Sequence, residues 1–252
     1  MSKDEEKPER RVAVVTGASR GIGRAIALKL ASLEIAVVVN YQSNHEEAKA
    51  TVEEIIAQGG HALSICADVR DEDAVRAMMA TTLRSLGRLD ILVCNAGTVE
   101  ESLTATMPTK TWDAVVDTSL KGTFLCVREA APFLMRSGDG CIVTVSSIQA
   151  SSGGRGQGNY VAAKAGIEAL TRSLAIEFGP KGLRVNGVAP GIIETEMTTP
   201  IREQLGAELL KEVPLRRFGQ TSEVASVVAF LTSPDASYLT GAIIPLTGGY
   251  GL

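Results

Sequence analysis

The run GNYVAAKAG, Gly158 to Gly166, sets a phenol and an amine, Tyr160 and Lys164, four residues apart among glycines and alanines. On a helix, positions i and i+4 project from one face. A free phenol has a pKa of about 10, a poor match for a proton donor that must cycle near neutral pH. A neighbouring ammonium favours the phenolate, and lowering the phenol by roughly two to three units corresponds to about 3–4 kcal/mol of electrostatic stabilisation. Thirteen residues upstream, Ser147 closes the apolar run VTVSS, at the end of a strand where chain ends gather above a parallel sheet. An ordinary amphipathic helix carries the same tyrosine and lysine spacing, so the pair alone leaves that reading open.

A second constellation stands near the start of the chain. Thr16 to Gly23 reads TGASRGIG, directly after an apolar run and ahead of a helical pattern. Glycines there let the backbone turn tightly and approach a pyrophosphate, whose charge suits the exposed amides of a helix N-terminus. The spacing is Gly-x-x-x-Gly-x-Gly and does not match the G-x-G-x-x-G fingerprint, and glycines between a strand and a helix also serve as plain turn residues. In such sheets a carboxylate at the end of the second strand binds the ribose of NAD. Here that place holds Asn40, which removes the repulsion toward a 2′-phosphate, and Arg20 could supply a cation for it. The reading is NADP rather than NAD.

These groups need a frame. Apolar strands, from RVAVVT, Arg11 to Thr16, through AIIPLTGG, alternate with helical segments along the chain. Continuous apolar strands alternating with helices imply a parallel sheet covered on both faces. The expectation is an α/β, doubly wound domain over residues 11–252, with residues 1–10 a solvated tail. Thr109 to Ser137 reads as one long, mostly helical stretch. The segment at about 190–218 breaks the rhythm and reads as a substrate loop.

The 252 residues suffice to bury roughly 70–75% of the unfolded surface without disulfides or metals. The net charge of -4 argues against nucleic acid as a main partner. Two histidines, His45 and His61, argue against a histidine-rich metal site. Three of the four cysteines, Cys66, Cys94 and Cys126, sit in apolar runs and read as buried free thiols of a reducing compartment. No stretch approaches a membrane span and the N-terminus has no apolar signal region, so a soluble, cytoplasmic protein is expected. Trp112, the only tryptophan, reads as core packing.

TGASRGIG, CNAG at Cys94 to Gly97, the Ser147, Tyr160 and Lys164 pattern, and APG at Ala189 to Gly191 occur here in order. Together they resemble the short-chain dehydrogenase/reductase family from about Arg11 onward. The resemblance implies a single Rossmann-type domain, a seven-stranded parallel sheet ordered 3-2-1-4-5-6-7, and hydride transfer between a nicotinamide and a carbonyl or alcohol. It implies that Gly17, Ser19, Arg20, Gly21, Ile22, Gly23 and Asn40 hold the dinucleotide, and that Asp68 and Val69 meet its adenine. Asn95, Ala96 and Gly97 would line its cleft, Lys164 would bind the ribose, and Pro190, Gly191, Ile193 and Thr195 would hold the carboxamide. Tyr160 would donate the proton while Ser147 holds the substrate oxygen, with Ser146 the less fitting choice by spacing. Ile148, Gln149 and Ser151 would face the substrate.

Ser119 departs from the family's pattern, in which asparagine stands there, kinks its helix and offers a main-chain carbonyl to a water that relays protons to the lysine. Serine can bond back to the preceding turn and bend a helix, so Ser119 is expected to preserve the relay. A chain that binds nucleotide but turns over poorly is the alternative. The C-terminal third, with GQGNYVAAKAGIEALTRSLAIEFGPKGLRVN, is similar to the 3-oxoacyl-[acyl-carrier-protein] reductase branch. That implies a β-keto thioester substrate, a carrier-protein partner and a basic rim drawn from Arg136, Arg155, Lys181, Arg184, Arg216 and Arg217. Acetoacetyl-CoA, small ketones, sugars and polyols remain alternative substrates. The helix from Asn159 to Phe178 is apolar nearly all round, which implies burial beyond its sheet-facing side, and in this family suggests a homotetramer.

Overall fold

The computed structural model describes residues 10–251; apart from Arg10, the expected N-terminal tail lies outside them. The strands are β1 Val12–Val15, β2 Ala36–Tyr41, β3 Ala62–Cys66, β4 Ile91–Cys94, β5 Cys141–Val145, β6 Arg184–Pro190 and β7 Ile243–Leu246. They form one sheet in the order β3-β2-β1-β4-β5-β6-β7 with every neighbouring pair parallel. The order reverses direction between β1 and β4, whose carboxyl ends therefore frame the crevice where such sheets bind ligands.

Parallel neighbours need long crossovers. These carry α1 Gly21–Ala31, α2 His45–Ala57, α3 Glu72–Leu86, α4 Thr109–Val116, α5 Gly122–Leu134, α6 Gln149–Ser152, α7 Gly158–Phe178, α8 Thr199–Glu212 and α9 Thr221–Thr232. Side chains alternate across each strand. Ala13, Val15, Ile91 and Val143 thus pack with α1, α2 and α9 on one face. Val14, Leu92 and Ile142 pack with α3, α5 and α7 on the other. Local signals set helix ends: Asp71 Oδ1 accepts from the amides of Asp73 and Ala74 at 2.9 and 3.1 Å, and Gly87 closes α3 at φ +78°.

One polar group anchors the amino end of the central strands. Asp90 is 1% exposed, accepts from Val12 N at 2.8 Å and receives Arg88 Nε and Nη2 at 2.8 and 2.7 Å. Asp90→Ala leaves the buried Val12 amide without its acceptor and removes the carboxylate that Arg88 binds. The expected loss is roughly 2–4 kcal/mol, below the full cost of a broken buried pair because Arg88 reaches solvent. Urea unfolding measures it, and a loss under about 1 kcal/mol would show that water replaces the carboxylate.

Several expectations need correction. The stretch read as one long helix is α4 and α5 joined by a π turn over Asp117–Lys121, where Gly122 N donates five residues back to Asp117 O. The expected loop at 190–218 contains α8, none of whose side chains is buried. Its two ends are pinned together by Glu194 N to Gly219 O at 2.8 Å and Gly219 N to Ile192 O at 3.0 Å. Trp112 is 39% exposed, because α4 buries only Val115. Cys66 is exposed while Cys94, Cys126 and Cys141 are buried; β3 is an edge strand, and Cys66 ends it with Sγ toward Gln42 O at 3.3 Å.

Candidate active site

The glycine loop and the end of β4 are tied into one unit. Thr16 Oγ1 accepts from Asn95 N at 2.9 Å and Ala96 N at 3.0 Å and donates to Val93 O at 3.3 Å. Asn95 Nδ2 returns bonds to Thr16 O at 2.9 Å and Gly17 O at 3.0 Å. Gly17 turns at φ +60°, and a side chain on it would stand 3.0 Å from Ala96 Cα. A Cβ on Gly23 would lie 2.3 Å from Gly17 O, so only glycine lets α1 pack this close under the loop. Ser19 is buried, its carbonyl accepting from Thr51 Oγ1 at 3.2 Å, and Ile22 packs against the core.

The N-terminus of α1 has no side-chain cap and no acidic residue in its first turn. Its leading amides therefore lack a side-chain acceptor and fit an anionic ligand, as a dinucleotide's pyrophosphate requires. Gly21, at φ +56°, has no atom nearer to a would-be Cβ than Thr195 Cγ2 at 3.8 Å, which keeps that approach open. Two predicted contacts are oriented otherwise. Asn40 is buried, its Oδ1 accepting from Gly17 N at 3.2 Å and its Nδ2 donating to Ala67 O at 3.0 Å, so it braces the loop rather than facing a ribose. Arg20 extends to Glu196 across the crevice, Nη1 to Oε2 at 2.8 Å. Asp68 is held by Arg70 at 2.6 Å and by Gln42 at 2.9 Å; the Arg70 hydrogen bond lowers its carboxyl pKa. Val69 is buried against the position of Gly122.

The phenol and amine lie in the first turns of α7. Asn159 clasps that end: Nδ2 donates to Glu100 O at 3.0 Å and Thr111 O at 3.2 Å, while Oδ1 accepts from Tyr160 N at 2.8 Å. Lys164 Nζ stands 5.6 Å from the Tyr160 ring centre and donates to Val145 O, at the end of β5, at 2.8 Å. Burial lowers the Lys164 amine to about 8. Burial also raises the Tyr160 phenol, with the Ser147 hydroxyl pulling the other way as a hydrogen-bonding neighbour. The phenol is therefore shifted up, against the expected lowering by a nearby ammonium, because desolvation penalises the phenolate.

Ser147 is buried at the end of β5 and its Oγ accepts from Gln149 N at 3.2 Å. Ser146 Oγ donates to Lys164 O at 3.1 Å and to Glu168 Oε1 at 3.0 Å. Ile148 N reaches Pro190 O at 2.9 Å, Gln149 is half-buried at the start of α6, and the Ser151 hydroxyl turns back to Ile148 O at 3.0 Å. A Cβ on Gly191 would meet Thr247 Cα at 2.9 Å. Ile193 is buried, and Thr195 N donates to Thr198 Oγ1 at 3.2 Å, capping the turn over Glu196–Thr198.

Ser119 is buried on the π turn with its Oγ lacking a hydrogen-bond partner. The expected back-bond is made by its neighbours instead: Thr118 Oγ1 to Ala114 O and Thr123 Oγ1 to Ser119 O, each at 2.7 Å. The basic rim thins out as well. Arg184 turns inward to Leu231 O at 2.9 Å and Ala236 O at 3.0 Å, Arg217 is paired with Glu223 at 2.6 Å, and Arg216 donates to Lys211 O at 2.6 Å behind α8. Arg136 donates to Pro132 O at 3.0 Å near the end of α5.

Sequence reasoning missed Thr16, Asn159 and Glu196 as functional positions. The first two carried a signal, since Thr16 opens the glycine run and Asn159 precedes Tyr160. Glu196 carried none, because its partner lies 176 residues away. The arrangement unites a phenol, a buried amine and a serine hydroxyl beside an uncapped helix N-terminus, a set suited to proton transfer at an oxygen next to a bound anion.

Comparison with known proteins agrees. A family profile described as enoyl-(acyl carrier protein) reductase matches residues 17–251. The chain is 46% identical over 237 residues to the 3-oxoacyl-[acyl-carrier-protein] reductase FabG of Staphylococcus aureus, covering 94% of this chain and 96% of that one. It is 44% identical over 240 residues to the 3-oxoacyl-[acyl-carrier-protein] reductase of Synechocystis sp., covering 94% and 96%. A crystal structure from Sinorhizobium meliloti 1021, described as that of a candidate short-chain alcohol dehydrogenase, superposes with a TM-score of 0.91 at 38% identity, covering 95% of this chain and 96% of that one.

Proposed function

We propose a function from the premise that this chain belongs to the short-chain dehydrogenase/reductase family, given the match over residues 17–251 and the identity to its reductases. The protein is an NADP-dependent oxidoreductase that reduces a 3-oxoacyl thioester carried on acyl-carrier protein, a step of fatty-acid synthesis. The observation that carries the reading is the grouping of Tyr160, Lys164 and Ser147 at the carboxyl ends of the strands beside the glycine loop.

Bound NADPH supplies the hydride. The α1 amides from Gly21 to Gly23 would take its pyrophosphate, Asn95, Ala96 and Gly97 would floor the cleft, and Pro190 to Thr195 would close over it. Tyr160 holds a proton at its hydroxyl, where burial keeps the phenol protonated, and gives it to the substrate oxygen. Ser147 hydrogen-bonds the same oxygen and fixes it beside the phenol. Lys164, buried and held by Val145 O, orients its ammonium toward Tyr160. A serine–tyrosine pair of donors suits a carbonyl oxygen, which favours the 3-oxoacyl substrate over the carbon–carbon double bond in the family profile's description.

Arg20, whose guanidinium pairs with Glu196, would be the cation for the 2′-phosphate. Arg20→Ala is expected to raise the KM for NADPH about tenfold or more, the worth of one charge-assisted hydrogen bond, and to leave that for NADH little changed. Equal effects on both cofactors, in steady-state kinetics, would count against this role.

The proposal extends to a cytoplasmic homotetramer. Its support is the outer stripe of α7, where Ala162, Ala169 and Ser173 are exposed and Ile176 is 80% exposed, together with the exposure of Phe124 on α5. Light scattering should read four chains, and a monomer would exclude the assembly. Among the described residues no helix is long and apolar enough to cross a membrane.

The deciding experiment follows NADPH oxidation by absorbance with acetoacetyl-ACP and acetoacetyl-CoA, with NADH and crotonyl-CoA as controls. Turnover with the acetoacetyl thioesters and NADPH supports the reading. Reduction of crotonyl-CoA alone replaces it with enoyl reduction, and nucleotide binding without any turnover replaces it with a non-catalytic role.

A further inference from the structure

We infer that Glu168 is a positioning residue of the same site: acting through the Ser146 hydroxyl, its carboxylate fixes the end of β5 against α7 and so keeps Ser147 and Lys164 placed for Tyr160. The inference rests on reading those three residues as the reducing site.

One stripe of α7 meets one strand end. Tyr160, Lys164, Glu168 and Thr171 recur at steps of four, four and three, the spacing that keeps side chains on one face of a helix. Each has a partner in the last residues of β5 or just beyond it. The Ser147 hydroxyl is the hydrogen-bonding neighbour of the Tyr160 phenol. Val145 O accepts from Lys164 Nζ at 2.8 Å, Ser146 Oγ donates to Glu168 Oε1 at 3.0 Å, and Thr144 Oγ1 lies 2.7 Å from Thr171 Oγ1. The first two contacts belong to the chemistry, and the threonine pair is neutral. Glu168 brings a charge that the proton transfer does not use.

That charge stands where it is costly. The Glu168 side chain is 18% exposed, and Arg172 Nη1 is 3.8 Å from its Oε2. Taking a carboxylate this far out of water is unfavourable unless it is hydrogen-bonded, and the bond it receives here comes from a buried group, since Ser146 is 3% exposed.

The Ser146 hydroxyl has one proton and two acceptors in reach, Glu168 Oε1 and Lys164 O. A carboxylate is the stronger acceptor of the two. Through it the strand is gripped one turn further along α7 than Lys164, while Ser146 N donates to Val188 O of β6 at 2.8 Å. Ser146 is thus held between α7 and β6. Its chain neighbours are the two groups that the site uses, Val145, whose carbonyl holds Lys164 Nζ, and Ser147. A slide of β5 along α7 would move both at once, and misplacing reacting groups by about 1 Å can cost about a hundredfold in rate.

Steady-state kinetics with NADPH and acetoacetyl-CoA test the inference on Glu168→Ala, Glu168→Gln, Ser146→Ala and the double variant that combines the two alanines, each also followed by thermal unfolding. Glu168→Ala should lower kcat about tenfold with both KM values within about twofold of wild type. Glu168→Gln keeps an oxygen acceptor and should recover kcat to within about threefold. Ser146→Ala should match Glu168→Ala, and the double variant should be no slower than either, because both remove one bond. A merely structural role would lower the melting temperature with kcat intact, and independent roles would multiply to about a hundredfold; either result overturns the inference. If Glu168→Ala fails to fold, Ser146→Ala, which removes a single oxygen, decides the question: a kcat within about twofold of wild type overturns it. A wild type that reduces no carbonyl compound overturns the reading of the site, and the inference falls with it. An active wild type with unaffected variants overturns the inference alone.

Discussion

Tyr160→Phe is expected to lower the kcat for carbonyl reduction by at least about a thousandfold while NADPH still binds, because the substitution removes one oxygen and the proton it carries. Neither nearby serine duplicates that donor. Ser147 Oγ accepts from Gln149 N, and a serine hydroxyl is far too weak an acid to stand in. Ser119 Oγ lies 3.3 Å from where a Cβ on Gly97 would stand, a point that Lys164 Nζ approaches to 3.5 Å. The tyrosine ring remains to fill its half-buried place, and Asn159 still holds the helix end through the Tyr160 main-chain amide. Fluorescence titration with NADPH and steady-state kinetics separate the two properties. A loss below about tenfold would mean that water or another group supplies the proton.

Lys164→Met separates function from stability at a second position. Activity should fall about a hundredfold or more, since the charge that favours the phenolate and returns its proton is gone. Stability should respond in a pH-dependent way. Burial lowers the folded-state amine from its usual 10.5 to about 8. Below about 8 both folded and unfolded chains hold the proton, and the burial penalty is constant. Between about 8 and 10.5 the unfolded chain binds a proton that the folded chain does not, so the wild type gains stability as pH rises. Methionine does not titrate. The stability of the wild type relative to Lys164→Met should therefore climb through that window, by up to about 3 kcal/mol. Urea unfolding of both proteins across it measures the difference; a flat one would mean that the amine is solvated as freely as in the unfolded chain.

The fold was largely legible in the chain, because short-range chemistry specifies its pieces. Short apolar runs such as VAVV and ILVC bounded by turn residues favour buried strands, Asp71 and Gly87 mark the ends of α3, and strands alternating with helices favour parallel neighbours. The site was legible for the same reason wherever its members share a local motif: Tyr160 and Lys164 are one turn apart, and the glycines of the first loop leave a helix end uncapped. Local pattern misled where burial depends on what arrives from elsewhere. Trp112 and Cys66 look apolar in sequence, but one lies on a helix that buries a single residue and the other ends an edge strand. Asn40 looked like a cofactor contact and is a brace, because its amide meets Gly17 on one side and Ala67 on the other.

Residue types and spacing alone determined the order of strands and helices, the glycine loop and the phenol–amine pair, since each depends on neighbours within a few positions. Tertiary structure alone decided that Arg20 meets Glu196, that Thr16 staples β1 to β4, and that Ser119 and Lys164 converge above Gly97. Hydrogen bonds and ion pairs act only over a few ångströms, and which polar atoms come that close is set when segments distant in the chain pack against one another.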